Sequence, residues 1–191
     1  MITPPRAAVW CAAAALGALL LAPPTAGAGA PASPPVDCPK GTELVGGAPP
    51  EGFEAWCEGV PDDAGHLRRH GPARSWYEAR IVHEEWTWVR GRRDGDYVEF
   101  HRNGQRARAG RYAEDELDGP WSTWDERGRL LERVEFRRGV RHGAAESWWP
   151  GGLRRSAGRY CQGMQCGTWT SWDESGHELG RMTFDGPVQM K

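Results

Sequence analysis

The stretch Asp118-Gly119-Pro120-Trp121-Ser122-Thr123-Trp124-Asp125-Glu126-Arg127-Gly128 decides the fold, because it recurs. Gly71, Gly95, Gly119, Gly143 and Gly167 fall 24 residues apart with no gap. Five positions after each stands an aromatic: Trp76, Phe100, Trp124, Trp148 and Trp172. Seventeen positions after each stands another: Trp88, Tyr112, Phe136, Tyr160 and Phe184. In a chain that is 10% aromatic, ten rings in the ten places set by one period mark five tandem units.

Each unit divides into two short runs separated by turn residues. A second glycine follows the leading one by nine positions, at Gly104, Gly128, Gly152 and Gly176, preceded by Asn103, Arg127, Gly151 and Ser175. Asn-Gly, Gly-Gly and Ser-Gly between aromatic runs are hairpin-turn chemistry, because these residues tolerate positive φ. A further turn at Gly91, Gly139 or Gly163 leads into the next unit. Glycine every few residues, with Trp, Tyr, Phe and Val in the runs, argues against helix. The expected fold is all-β, with five antiparallel hairpins, about ten short strands, joined in an elongated twisted sheet. The first unit departs from the pattern, with Arg80 in place of the second glycine and Ala73 in place of the first tryptophan. Trp121 and Trp124 lie three apart, as do Trp169 and Trp172. In a regular strand that spacing puts the two rings on opposite faces, so either a bulge separates them or both faces carry aromatic surface.

The pattern Gly-x-Trp-x-x-Trp-x-x-x-Gly, seen in Gly119 to Gly128 and Gly167 to Gly176, resembles the MORN repeat. It is most similar to the variant form of the bacterial toxin–antitoxin YwqK-family antitoxins. The resemblance covers Gly71 to Gly186. It implies stacked β-hairpins that serve as protein-interaction or scaffold modules, with lipid contact in some members. The motif residues are structural, so the resemblance carries no active site across. A cytoplasmic antitoxin role sits poorly with the export signal and cysteines of this chain.

The flanks give an address. Met1 to Arg6 holds one positive charge, Ala7 to Ala22 is uncharged and mostly apolar, and Ala26-Gly27-Ala28 offers a cleavage site. Residues 1–28 therefore read as a signal peptide and 29–36 as a flexible linker rich in Ala, Gly, Pro and Ser. The protein is expected to be exported, periplasmic or extracellular, and soluble once the leader is removed. Residues 37–65 cannot build a core of their own and read as a disulfide-tied cap that lays Phe53 and Trp56 on the first repeat. Residues 66–187 form the repeat domain, and 188–191 are a tail.

Four cysteines follow the leader: Cys38, Cys57, Cys161 and Cys166. An even count in an exported chain points to disulfides, and spacing favours Cys38–Cys57 and Cys161–Cys166. Between Asp37 and Gly65, seven acids face Lys40 alone, whereas from His66 onward 22 basic side chains face 19 acidic ones. The acids are interspersed with the arginines, so there is no continuous basic stripe and nucleic acid is not an expected partner.

Four sets of residues are of the types that carry chemistry. His70 and His142 precede leading glycines where other units have Asp94, Asp118 and Cys166, which marks a turn position rather than a metal ligand. Cys161-x4-Cys166 lacks the second pair a zinc site needs. The acid pairs Asp125-Glu126 and Asp173-Glu174 open hairpin turns, and their equivalents are His101-Arg102 and Trp149-Pro150. Ser122, Ser147 and Ser171 have no elbow motif or positioned base. No enzyme, metal site or cofactor is expected.

The aromatics carry the functional reading. Ten tryptophans follow the leader, more than one core row per unit requires. Trp86, Trp121, Trp149 and Trp169 are the candidate binding face. The expected function is an exported, non-enzymatic protein-binding or scaffold module of the cell envelope. The alternatives are an antitoxin-like inhibitor of a toxin, or a module that binds a glycan or a membrane surface. A protein is the expected partner, with a glycan or lipid surface second. The disulfide reading is checked by thiol alkylation of the mature chain: Cys38, Cys57, Cys161 and Cys166 should label only after reduction, and quantitative labelling without reductant rules the bridges out.

Overall fold

The computed structural model describes residues 36–50, 52–78 and 81–187, which fall in one compact unit spanning 32–191. The leader at 1–28, nearly all of the linker, the tail at 188–191 and Arg80 lie outside the described residues. Fourteen strands form one antiparallel sheet. The cap segment supplies β1 (Glu43–Gly47) and β2 (Glu54–Pro61), so it enters the sheet as a hairpin of its own. The repeats follow with β3 (Leu67–Trp76), β4 (Val82–Val89), β5 (Arg92–Arg93), β6 (Gly95–Phe100) and β7 (Arg106–Ala113). Then come β8 (Glu116–Leu117), β9 (Gly119–Trp124), β10 (Leu130–Arg137), β11 (Val140–Trp148), β12 (Arg154–Cys161), β13 (Met164–Trp172) and β14 (Glu178–Asp185). Strand order follows the chain from β1 to β14, with the two-residue β5 and β8 pairing only β4 and β7. The sheet is therefore open, with β1 and β14 as its edges.

Two kinds of turn alternate along the chain. Inside a unit, the Asp125 N–H donates to Arg129 O (3.0 Å) and the Gly128 N–H to Asp125 O (2.9 Å), closing a three-residue loop. The same pair of bonds recurs at His101, Trp149 and Asp173. Gly104, Gly128, Gly152 and Gly176 have φ between 75° and 87°, but Asn103, Arg127, Gly151 and Ser175 before them do not have positive φ. Only the glycine of each expected turn dipeptide uses the left-handed region, as in three-residue hairpins that end in a bulge glycine. The two-residue turns lie between units, at Arg90-Gly91, Glu114-Asp115, Arg138-Gly139 and Gln162-Gly163. Both residues of each have positive φ. That is the I′ geometry whose twist matches a right-handed hairpin.

The leading glycines are bulge residues. Phe136 pairs with Arg141 but Val134 with Ala145, so a step of two on β10 is matched by four on β11 around Gly143. Arg159 pairs with Cys166 and Ala157 with Thr170, which repeats the step at Gly167. The five leading glycines have φ from 64° to 123°, where a side chain is strained. A second, one-residue bulge lies on the return strand of each hairpin, such as Leu131 between the pairs Leu130–Trp124 and Glu132–Thr123. This settles the three-residue tryptophan spacing. The bulges at Leu131 and Leu179 fall on the partner strands, so against β10 and β14 no extra residue is inserted between Trp121 and Trp124 of β9 or between Trp169 and Trp172 of β13. Trp121 and Trp124 thus point to opposite faces, and so do Trp169 and Trp172.

Cross-strand pairing then sorts one face into rows. Each leading glycine pairs with the second aromatic of its own unit: Gly71 with Trp88, Gly95 with Tyr112, Gly119 with Phe136, Gly143 with Tyr160 and Gly167 with Phe184. Beside this row runs another of paired large and small residues. Trp86 is opposite Ala73, Tyr97 opposite Gly110, Trp121 opposite Val134, Ala145 opposite Gly158, and Trp169 opposite Met182. With no second layer among the described residues, burial comes from this interdigitation. Ala73, Tyr97, Val134 and Ala145 of the second row are all below 9% exposed.

At the amino-terminal end, Trp56 pairs with Ala73, and the Arg69 guanidinium lies 4.0 Å from the centre of its ring. Phe53, expected to lie on the first repeat, is instead exposed, because only its carbonyl is engaged, by the Trp76 N–H (2.9 Å). Disulfides join Cys38 to Cys57 (Cα–Cα 5.4 Å) and Cys161 to Cys166 (5.8 Å). The second runs diagonally, since Cys161 pairs with Met164 and Cys166 with Arg159.

Gly110 and Gly158 are glycines for want of space, not for positive φ. A Cβ on either would come within 2.2 Å of the indole of Trp121 or Trp169. Gly110→Ala and Gly158→Ala are expected to cost about 1–3 kcal/mol by overpacking. Gly151→Ala, which meets nothing within 4 Å, should be close to neutral. Urea unfolding midpoints at unchanged slope are the measurement; equal midpoints for all three variants would remove the ring-on-glycine account.

Candidate functional site

The candidate tryptophans lie half-buried on or beside the face that carries these rows. Trp121 stacks on Tyr97 (5.4 Å, 18° between planes) and meets Tyr112 edge-on at 6.1 Å. Trp86 meets Trp88 edge-on at 6.4 Å. Trp169 meets Tyr160 edge-on at 5.2 Å and donates its indole N–H to Arg159 O (3.0 Å). Trp149 sits at a hairpin turn, donating to Trp172 O in the next unit (3.0 Å). The structure therefore gathers rings at Trp86/Trp88, Tyr97/Tyr112/Trp121 and Tyr160/Trp169, with the small residues Val134, Ala145 and Gly158 between the last two clusters. The indole N–H groups of Trp56, Trp86 and Trp88 are buried with no acceptor among the described residues.

Arginines are consumed by this arrangement. Arg69, Arg93 and Arg141, each two residues before a leading glycine, lie 4.5–5.3 Å from the ring centres of Trp88, Tyr112 and Tyr160. In the third and fifth units the equivalent positions are Leu117 and Gln165, and the second aromatic is phenylalanine. Arg155 covers Trp149 at 4.7 Å. These contacts are each worth about 0.5–1 kcal/mol where exposed, and they shield ring faces from water.

A polar row missed by the sequence reading runs beside the rings. Successive pairings link Ser75, Glu84, Glu99, Arg108, Thr123, Glu132, Ser147, Ser156 and Ser171 across the sheet. Glu84 and Glu99 stand directly opposite, an unfavourable like-charge pair. Tyr97 and Arg108 relieve it: the Tyr97 hydroxyl donates to Glu84 (2.7 Å) and Arg108 pairs with Glu99 (3.1 Å). Burial, then the hydrogen bond to Glu84 and the charges of Glu84 and Glu99, hold the Tyr97 pKa far above the usual tyrosine value. The signal for this row was present in the residues four positions after each leading glycine, Ser75, Glu99, Thr123, Ser147 and Ser171. It could not be read without the register that joins those positions.

The acid pairs and histidines are turn chemistry. Asp125 accepts from the Arg129 side chain (2.8 Å) and from the backbone N–H groups of Arg127 and Arg129 (2.9 Å each). Asp173 accepts from the Ser175 hydroxyl (2.6 Å) and the backbone N–H groups of Ser175 and His177. His70 accepts from the Arg90 N–H (3.3 Å), and His101 bonds to Trp124 O in the next unit (3.0 Å). Among the described residues no group of three His, Cys, Asp or Glu converges as a metal site. No helix among them is long and apolar enough to cross a membrane.

The face is grooved between the clusters. A groove of about 700 Å³ is lined by small residues, Ala145, Ser147 and Ser156, and by the rings of Trp149, Tyr160 and Trp169. On the opposite face, a groove of about 620 Å³ includes Trp124, Arg111 and Arg133.

No family model and no curated protein matches this chain. Among solved structures, it is similar to a Staphylococcus aureus TarM mutant in complex with Fondaparinux, alpha-GlcNAc-glycerol and UDP. Identity is 8% and the TM-score 0.34, over 66% of this chain and 21% of that one. At that score the likeness carries no argument about fold or function.

The turn carboxylates predict an acid limit. Hydrogen bonds from the Arg129 side chain and backbone lower the Asp125 pKa below 3.8, and the Ser175 hydroxyl and the backbone of His177 and Ser175 do the same for Asp173. A depressed carboxyl pKa contributes stability that is present above the unfolded value and lost as pH falls through the folded one. Both turns should thus hold above pH 4 and loosen only below 3.8. Carboxyl carbon shifts followed by NMR check this, and a midpoint at or above 3.8 for either aspartate contradicts it.

Proposed function

We propose that this chain is a non-enzymatic binding module of an oxidising, exported compartment, and that its ring-bearing face docks a protein partner in the cell envelope. The observation that carries the reading is one sheet face bearing two aromatic rows with no second layer over it among the described residues. Trp, Tyr and Arg on one patch, rimmed by charges, are the residues that concentrate binding energy at protein interfaces. Met182, 63% exposed beside Trp169, extends this surface to the β14 edge. The two disulfides support the compartment, since such bonds persist where thiols are not kept reduced.

Support for a non-catalytic role comes from the groups that could do acid–base work. Asp125 and Asp173 are saturated by their own turns, and Glu99 is held by Arg108. The repeat also spreads its polar groups along a row instead of converging them on a point, as catalysis requires.

A photocrosslinking residue in place of Met182, compared with one in place of Arg133 on the opposite face, tests the reading in the producing cell. Protein adducts from position 182 and none from 133 are expected. Equal adducts from both positions, or none from 182, would overturn it. Adducts to glycan or lipid alone would replace the protein partner with a cell-surface one. One stoichiometric adduct to an exported toxin would narrow the role to an inhibitor.

A further inference from the structure

The two edges of the sheet are built differently. β1 is five residues long, ends in Gly46-Gly47 with Gly46 at φ 80°, and runs into Pro49-Pro50. A short strand closed by glycine and proline is a poor template for a further strand. β14 is eight residues long and contains neither proline nor lysine. Its bulge lies near its start, at Leu179, so residues 180–185 keep an unbroken register with β13. Among the described residues no strand pairs with its outer side. Leu179 and Met182, 67% and 63% exposed, both stand on it and are more exposed than any other large hydrophobic side chain described.

The repeat shows what this edge lacks. In earlier units the residue fifteen positions after the leading glycine meets the one two positions into the next unit. Val134 pairs with Ala145, and the indoles of Trp121 and Trp169 lie over Gly110 and Gly158. Met182 holds that position in the last unit, and no further unit follows it among the described residues. The second row therefore ends unfinished at Met182.

The sequence of β14 is complementary to itself. Two antiparallel copies related by a two-fold axis normal to the sheet keep every side chain on its own face. With Thr183 on the axis, Arg181 stands opposite Asp185 of the second copy, and Met182 opposite its Phe184. Opposite charges, thioether against ring and threonine against threonine are favourable cross-strand pairs. An axis at Met182 would set Leu179 against Asp185, and one at Arg181 would set like charges together. Arg181 bonds Glu178 through Nε and one terminal nitrogen (2.9 and 3.0 Å), which leaves guanidinium donors for a second carboxylate.

We infer that the β14 edge pairs with the β14 edge of a second copy of this chain, giving a symmetric dimer whose two sheets are continuous through Thr183. Met182 and Phe184 belong to the ring-bearing face, so that face runs across the axis from one copy into the other. Both open edges are consumed and only the blunted β1 edges remain, so assembly stops at two copies.

The test is sedimentation of the intact, oxidised protein over a range of concentrations, with amide hydrogen exchange on the same samples. The expected mass rises reversibly to two copies, and exchange slows in β14 but not in β1. Arg181→Asp and Asp185→Arg, each alone, set like charges across the axis and should weaken the dimer by about tenfold. The two together restore opposite charges and should recover it. Both positions are exposed, and circular dichroism shows that each variant keeps its fold.

A monomer at every concentration up to the solubility limit would overturn the inference. So would a mass that grows beyond two copies, the sign of head-to-tail joining of β14 to β1. Dimers indifferent to the single variants, or not recovered by the double one, place the contact elsewhere and overturn it as well. Crosslinks from position 182 to a second copy differ in mass from those to another protein, so the binding face and the dimer stand or fall separately.

Discussion

Because no second layer covers this sheet among its described residues, its rings have to be buried against the backbone of neighbouring strands, and the rest of the structure depends on that constraint. A tryptophan lying over Gly158 or opposite Ala73 loses water from one side without needing a helix or a second sheet above it. The arrangement works only if a large residue on one strand meets a small one on the next. That condition holds where Trp86 stands opposite Ala73, Tyr97 opposite Gly110, and Trp169 over Gly158, so the small partner lies now on one strand of a unit and now on the other. Arginine guanidinium groups over Trp56, Tyr112 and Tyr160 then cover part of what remains exposed.

The same constraint explains why turns and bulges recur so strictly. A shift of one residue would exchange the faces of every side chain in a strand and place rings opposite rings. Four I′ turns and the leading-glycine bulges pin the register where units join, and the three-residue turns with their one-residue bulges pin it at the other end. Side chains reaching across to the next unit, such as Trp149 to Trp172 and His101 to Trp124, hold the hairpin turns in line. The terminal disulfides lie near the two ends of the sheet, where each outer strand has a neighbour on only one side.

Function follows from what burial leaves over. A single layer has two faces in contact with solvent; this one carries two rows of rings on one face, while aromatics five positions after a leading glycine, such as Trp124 and Trp172, point to the other. The small residues between the Trp121 and Trp169 clusters turn the first face from a flat surface into a grooved one. Polar residues four positions after each leading glycine line up alongside, so rings, hydroxyls and carboxylates are offered together. The proposed binding chemistry is thus a by-product of packing, and differences between units give each stretch its own character. Glu132, Glu146 and Glu174 line the groove together with Arg155, whereas Glu99 is paired with Arg108.

The 24-residue period by itself determined the all-β class and the identity of the glycines and aromatics that build the five repeat hairpins; it did not foresee the cap hairpin β1–β2 or the two-residue strands β5 and β8, which bring the expected ten or so strands to fourteen. The repeat hairpins were legible because turn geometry and strand alternation are local properties that a repeat writes five times over. The pairing of each leading glycine with the ring seventeen positions later was implicit in that spacing but had no meaning until the register was known. Other features were not legible in the same way. Nothing in the period singled out Gly110 and Gly158, whose cause is an indole on the adjacent strand. Phe53 looked like a capping residue and is exposed. Trp121 and Trp124 could have shared a face or divided between two, and the position of one bulge, on β10 instead of β9, decided it. Only tertiary structure settled these points, because they depend on which residue of one strand lies against which residue of another, and a one-residue bulge reverses that answer without altering the sequence pattern.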